Sequence, residues 1–397
     1  MAVTAIRGRI ITGVDLLADG IIAFDGGTVM EVTPAGQWNY PGVDVVDTRP
    51  SGVTLVPGFV DVHCHGGGGA GFHHDPLDAS RVVRFHRSRG TTTQLASLVS
   101  APGEVLRRQV AALAPLVHTG DLAGLHLEGP FLSVWKCGAH DPAAIIPGDL
   151  SLLSELLDVG GGAIRSQTFA PETAHAASIA RLLHKGGAVP CIGHTSADSA
   201  TTRRVMAASS GQWGATHLFN AMPALHHRDP GPVASCLSAA ARVEMVVEII
   251  GDGVHLSDDT VRMVFDLVGP GQVALVTDAM AAAGMPDGDY ALGGLDVRVD
   301  DGVARLSTGD HYVGDVPAIA GGTATLAEVV RRTVISAGVD LVSAVQSATH
   351  TPATLFGLKA GHLRPGYPAD MVALDEDLRA VAVWHRGERI KTSPEQC

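Results

Sequence analysis

The chain has 397 residues, 46% hydrophobic and 17% charged, which suits a large barrel with an appendage and leaves little disposition to disorder. A formal net charge of −13 argues against a general nucleic-acid binder, since neutralising a phosphate backbone takes clustered Lys and Arg; a phosphorylated small substrate needs only a local group of donors. No apolar run reaches the roughly eighteen residues of a membrane span, the start lacks a secretory apolar core, and five scattered cysteines (Cys64, Cys137, Cys191, Cys236, Cys397) favour reduced thiols, so a cytoplasmic protein is expected.

At the N-terminus, residues 9–12, 20–24 and 28–32 alternate between Gly and Asp turns, the pattern of short strands. The middle then alternates differently. Apolar or β-branched runs end near Val60, Leu95, Leu127, Phe169, Ile192, Ala215, Ile250 and Val276, and helix-like stretches lie between them, including 78–89, 104–117, 174–183, 197–208 and 258–268. Eight strands separated by helices predict a (β/α)8 TIM barrel, an α/β fold. Past Val276 come a Gly-rich hairpin insert at 290–306 and helical stretches at 326–337 and 341–348. Residues 371–374 and 380–385 are again strand-like. The expected organisation is a barrel over 57–354, with residues 1–56 and 355–397 pairing into one small β-sandwich.

The histidines and acids gather where this barrel needs them. His63 and His65 follow the first strand two residues apart, so their side chains share a face. Glu128, His194, His217 and Asp278 each end a different strand. The carboxyl ends of barrel strands form the active-site face, so six metal-competent groups converge there. For any one of them a plain structural role is the better reading; six at equivalent positions point to a metal site. Imidazoles and carboxylates suit Zn²⁺ or Fe²⁺ better than Mg²⁺. Cys64 faces away from its neighbours. His86, His118, His175 and His184 fall on helices, where a surface position is expected. The glycines at 66–69 read as close backbone approach to the site.

The run Pro57-Gly58-Phe59-Val60-Asp61-Val62-His63-Cys64-His65 resembles the opening motif of the amidohydrolase superfamily. His126-Leu127-Glu128-Gly129-Pro130-Phe131, Gly193-His194-Thr195, Thr216-His217-Leu218-Phe219-Asn220-Ala221-Met222 and Thr277-Asp278-Ala279-Met280 resemble the N-acetylglucosamine-6-phosphate deacetylases within it. The resemblance spans nearly the whole chain. It implies a cytosolic homodimer that removes acetate from N-acetyl-D-glucosamine 6-phosphate, in amino-sugar catabolism and cell-wall recycling.

Carried over by position, Glu128, His194 and His217 hold the principal ion and Asp278 is the catalytic carboxylate. Because both His63 and His65 are present, a second ion bridged by Glu128 is expected, giving one or two divalent ions per chain, Zn first and Fe, Mn, Co or Cd as alternatives. Asp278 shuttles the proton and His140 helps polarise the carbonyl. Substrate contacts fall on Ala139, His140, Asn220, Ala221, Arg228, His255, Ile319, Ala320 and Gly321. Arg228, by its local sequence an ordinary loop charge, is implied to reach the neighbouring subunit's phosphate. His126 shares the strand face of Glu128, where it is placed to orient a ligand. The apolar loop 129–138 reads as a lid, and Cys137, beside the charge of Lys136 that favours thiolate, as a modulator of the site or else a packing residue. The rival readings are another amidohydrolase, such as a cyclic amidase or deaminase, and a non-catalytic scaffold of the same fold.

Overall fold

The structure, a computed structural model, describes residues 3–390 except 74, 308–311 and 314–315. Cys397 and His74 lie outside the described residues. Eight parallel strands form the barrel: Phe59–Asp61, Thr91–Val99, Gly124–Glu128, Ile164–Phe169, Val189–Ile192, Trp213–Ala215, Met245–Ile249 and Val273–Leu275. They are hydrogen-bonded in chain order, the arrangement of successive βα units wound around one barrel. The ring closes beyond the last strand, where Cys64 bridges Ala279, His65 N–H donates to the Ala279 carbonyl at 2.7 Å, and Asp278 N–H donates to the His63 carbonyl at 2.9 Å. The segments that carry three candidate metal ligands therefore also seal the barrel.

Helices cover the strands for local reasons. Pro76–Arg87 starts at an Asp75 cap and buries Ala79, Val82, Val83 and His86 at helical spacing. Asp258–Val268 is capped by Ser257, and Leu326–Ile335 opens on a Thr325/Glu328 capping box. Gly231–Ala241 shows no helical periodicity in its sequence, because its open face, Ala234, Ser238 and Ala241, is nearly as apolar as its eight buried positions.

Both chain ends build one small domain. Its mixed sheet runs Glu388–Ile390, Ala380–His385, Met371–Leu374, Thr54–Pro57, Thr4–Ile11, Leu16–Asp25, Thr28–Pro34, with Val45–Asp47 beside Thr4–Ile11. The ends meet where Met371–Leu374 pairs antiparallel with Thr54–Pro57, and Ile6, Ile10, Ile22, Phe24, Leu55 and Met371 form a core of their own. The insert is a three-stranded sheet, Gly288–Leu292, Leu295–Asp300 and Val303–Leu306, packed on Met280 and Ala320.

Two expectations are corrected here. His86 is fully buried, not on the surface: its Nε2 lies 2.9 Å from the Gly66 carbonyl and 3.4 Å from Cys64 Sγ, and burial pushes its pKa down to about 4. The glycine run approaches this helix instead of the site: a Cβ on Gly67 would stand 2.5 Å from His86 Nε2 and 2.8 Å from the Phe85 ring. Cys64 does point away from the metal-competent side chains, as its alternation predicts.

Candidate active site

Five strand ends deliver six metal-competent side chains to a common point, the first of them supplying both His63 and His65. Glu128 Oε1 lies 3.0 Å from His194 Nε2 and 2.9 Å from His217 Nε2, while Oε2 lies 3.1 Å from His65 Nε2 and 3.2 Å from His140 Nε2. Asp278 Oδ1 faces His65 Nε2 at 3.2 Å and His63 Nε2 at 3.4 Å. His63 and His65 turn their Nε2 atoms toward each other at 3.1 Å. His194, His217 and Asp278 take positive φ angles of 45°, 30° and 49°, and Ala221 takes 50°. Non-glycine residues hold such angles at a cost of about 1–3 kcal/mol each, and they cluster where the surrounding structure enforces a site.

The outer partners decide what each imidazole can do. His194 Nδ1 donates to the Lys136 carbonyl at 2.8 Å and His65 Nδ1 to the Ser97 carbonyl at 3.2 Å. A carbonyl only accepts, so Nδ1 carries a proton in both rings, and in the neutral imidazole the lone pair lies on the Nε2 turned inward. His140 is the reverse: the Ser100 N–H donates to its Nδ1 at 3.1 Å, so the proton sits on Nε2. Glu128, His140 and His194 lie close enough to share an ion, but this tautomer makes His140 a donor toward the site, not a ligand. Burial pushes His140 down to about 4, which keeps that donor neutral at physiological pH.

Neutral imidazole Nε2 atoms and carboxylate oxygens, all acceptors in that form, thus converge with separations near the roughly 3.3 Å between two ligands of a tetrahedral zinc ion. Such a set is repulsive without positive charge at its centre, and its electrostatics say so. Burial disfavours charge on His65, yet Asp278 and Glu128 outweigh it and push its pKa up to about 9. Against the same burial, His140 and His63 hold Glu128 well below the carboxylate range, and His63 and His65 do so for Asp278. The field that draws protons onto these rings also draws a divalent cation, and the donors fit one.

A cavity of about 720 Å³ opens above this cluster. Of the residues singled out for substrate, Ala139, His140, Asn220, Ala221, His255, Ile319 and Gly321 line it, with Cys137 and the cations Lys136 and Arg305. Ala320 does not. Its flanking residues face the cavity, so its own side chain turns into the insert's core, where it is fully buried. Arg228 is exposed, pairs with His227 Nε2 at 2.7 Å, and is absent from this chain's cavity wall. Burial raises the Cys137 thiol pKa, which reverses the expectation of thiolate, and Lys136 Nζ is directed to the Met222 carbonyl at 3.3 Å. Loop 129–138 is apolar in two senses: Phe131 and Leu132 are buried, whereas Val134 and Trp135 are exposed.

Sequence reasoning passed over residues that orient the site. Asp252 binds His255 Nδ1 at 2.7 Å and its backbone N–H at 2.8 Å. Asp61 accepts from Thr277 Oγ1 at 2.6 Å and from the His63 N–H at 3.3 Å. Glu248 contacts both His63 and His217. The available signal was an acid inside an otherwise apolar run, as in residues 245–250. His126 reaches no ligand by hydrogen bond: it lies between Ser97 Oγ and Thr168 Oγ1, with its ring 4.6 Å from that of His63.

Comparison with known proteins matches the amidohydrolase family to residues 54–392. The chain belongs to that family. Within it, this amidohydrolase is 34% identical to the N-acetylglucosamine-6-phosphate deacetylase of Bos taurus, over 85% of this chain and 84% of that protein. It is 30% identical to an N-acetylgalactosamine-6-phosphate deacetylase of Escherichia coli O157:H7, over 96% of this chain and 97% of that one. Among solved structures, it resembles a mutant N-acetyl-D-glucosamine-6-phosphate deacetylase of Mycobacterium smegmatis in complex with N-acetyl-D-glucosamine-6-phosphate, with a TM-score of 0.91, 39% identity, and 98% and 99% of the two chains covered. Among the described residues, no helix of this amidohydrolase is long and apolar enough to cross a membrane.

Proposed function

We infer that the chain is a metal-dependent hydrolase that removes acetate from N-acetyl-D-glucosamine 6-phosphate, giving D-glucosamine 6-phosphate, in amino-sugar metabolism. The observation that carries this reading is a neutral donor, His140 Nε2–H, and a carboxylate, Asp278, facing one cation-demanding cluster at the base of a cavity wide enough for a phosphorylated sugar. Lys136 and Arg305 on the cavity wall suit an anionic substrate.

Glu128, His194 and His217 would hold one ion, and His63, His65 and Asp278 a second, with Glu128 between them because its two oxygens face different histidines. Zn²⁺ fits this donor set first, and Fe, Mn, Co or Cd are alternatives. When bound, a divalent ion supplies Lewis acidity that brings the pKa of water toward about 7. Asp278 takes the proton of the attacking water and passes it to the departing amine. His140 donates to the acetyl oxygen as negative charge builds there. Asn220, Ala221, His255, Ile319 and Gly321 orient the sugar, and Cys137 borders it from the loop. The protein acts in the cytoplasm as a homodimer in which Arg228 reaches the neighbour's phosphate. The chain divides at 56/57 and 354/355 into barrel and end domain.

Acetate release measured on N-acetylglucosamine 6-phosphate, its galactosamine epimer and the unphosphorylated sugars, with metal analysis of the same sample, tests this. The highest kcat/KM should fall on N-acetylglucosamine 6-phosphate. Highest turnover on a cyclic amide, or ammonia without acetate, overturns it. The galactosamine epimer is the second reading because relatives at 30% and 33% identity carry that name.

A further inference from the structure

We propose that Glu248 is a positioning residue of the metal centre, fixing the tautomer of His63 and coupling it to His217. Glu248 lies on the seventh barrel strand, Met245–Ile249, whose five residues are all buried and of which it alone is charged. One oxygen, Oε2, stands 3.0 Å from His63 Nδ1 and 3.2 Å from the His217 backbone N–H. The backbone of Glu248 also accepts from the Leu218 N–H at 2.8 Å, so residues 217 and 218 are anchored to this one position twice.

A backbone N–H only donates, so Oε2 accepts from His217; an ionised carboxylate is acceptor-only, so the same oxygen accepts from His63 Nδ1 as well. His63 Nδ1 therefore carries a proton, and its Nε2, which faces His65, Glu128 and Asp278, carries the lone pair a ligand needs. A carboxylate in an apolar strand is expensive unless a positive charge compensates it. An imidazole sharing the charge of a bound ion is such a partner, whereas anchoring the His217 N–H alone needs only a neutral acceptor. Because the same oxygen serves His63 on one side of the cluster and His217 on the other, it holds the two halves in register. This inference rests on the metal-centre reading above and is separable from it.

The test is a competition titration of Zn²⁺ against a chromophoric chelator, in wild type, Glu248→Gln, His63→Ala and the double variant. Gln keeps an acceptor for the His217 N–H but loses the charge. Glu248→Gln should bind Zn²⁺ about 10- to 100-fold more weakly than wild type. In the His63→Ala background the same change should have little further effect, because the carboxylate acts through that ring. Unchanged affinity in Glu248→Gln, or an equal loss in both backgrounds, overturns the proposal while leaving the metal centre standing. A wild-type chain that holds no divalent ion overturns both. Should Glu248→Gln fail to fold, Glu248→Asp, which keeps the charge but withdraws it by one methylene, enters the same cycle with the same His63-dependent loss expected.

Discussion

At the scale of single residues, His140 and His194 approach one carboxylate with opposite protonation, because a backbone N–H fixes the first ring and a carbonyl the second. His140→Ala should therefore keep wild-type metal content while kcat falls about 100- to 1000-fold, the usual cost of one donor at a developing oxyanion. Metal loss in parallel with activity would make His140 a ligand instead. Asp278→Asn should lower kcat by about 100- to 10,000-fold, since an amide cannot relay a proton, and single-turnover kinetics will show whether the chemical step is the one lost. The pair Asp252–His255 gives a pH signature. Burial opposes charge on both, but their contact prevails: His255 is raised above 6.5 and Asp252 lowered below 3.8. The share from His255 is fully present below pH 6.5 and is lost as pH rises through its folded value. The share from Asp252 is fully present above pH 3.8 and is lost as pH falls through its folded value. The Tm difference between wild type and Asp252→Asn should thus be widest between pH 3.8 and 6.5 and shrink on either side. A gap independent of pH would remove the pair from the linkage.

Among elements, the loop after the third barrel strand is clamped to a candidate ligand. The His194 carbonyl accepts from the Ser133 N–H at 2.9 Å, and its ring donates to the Lys136 carbonyl. Movement of this loop therefore costs two hydrogen bonds to a residue of the metal cluster, which ties substrate access to the orientation of His194. The next helix, Leu150–Gly160, shows how local chemistry sets a boundary. Asp149 accepts from the Ser151 and Leu152 N–H groups at 2.8 and 3.1 Å, and Gly161 closes the other end at φ 53°. Asp149→Ala should cost about 1 kcal/mol locally, and hydrogen exchange at the Ser151 and Leu152 amides should quicken by about fivefold with acetate release unchanged. Exchange at wild-type rates would show that neighbouring packing, not the cap, holds this turn.

For the whole molecule, the position of Arg228 outside its own chain's cavity wall is the feature a dimer would explain. Arg228→Ala chains mixed with Asp278→Asn chains should regain activity that neither has alone, since one hybrid site then contains both native residues; no recovery on mixing would confine Arg228 to the surface of its own chain. Eight strands, most of their helices and the cluster from His63 to Asp278 were legible in the sequence, because strand period and the placement of acids and imidazoles at strand ends are local properties of the chain. The helix Gly231–Ala241 was not, since its open face holds only Ala234, Ser238 and Ala241, too little polarity to set a rhythm. Nor were buried His86, the inward turn of Ala320 or the raised pKa of Cys137, each of which depends on what a distant segment places alongside it. By itself the sequence determined which residue types stand at the barrel mouth. Which imidazoles offer a lone pair and which a proton was decided only by tertiary contacts with Ser97, Ser100, Lys136 and Glu248, because a tautomer is set by the partner of the outer nitrogen, and that partner lies far away along the chain.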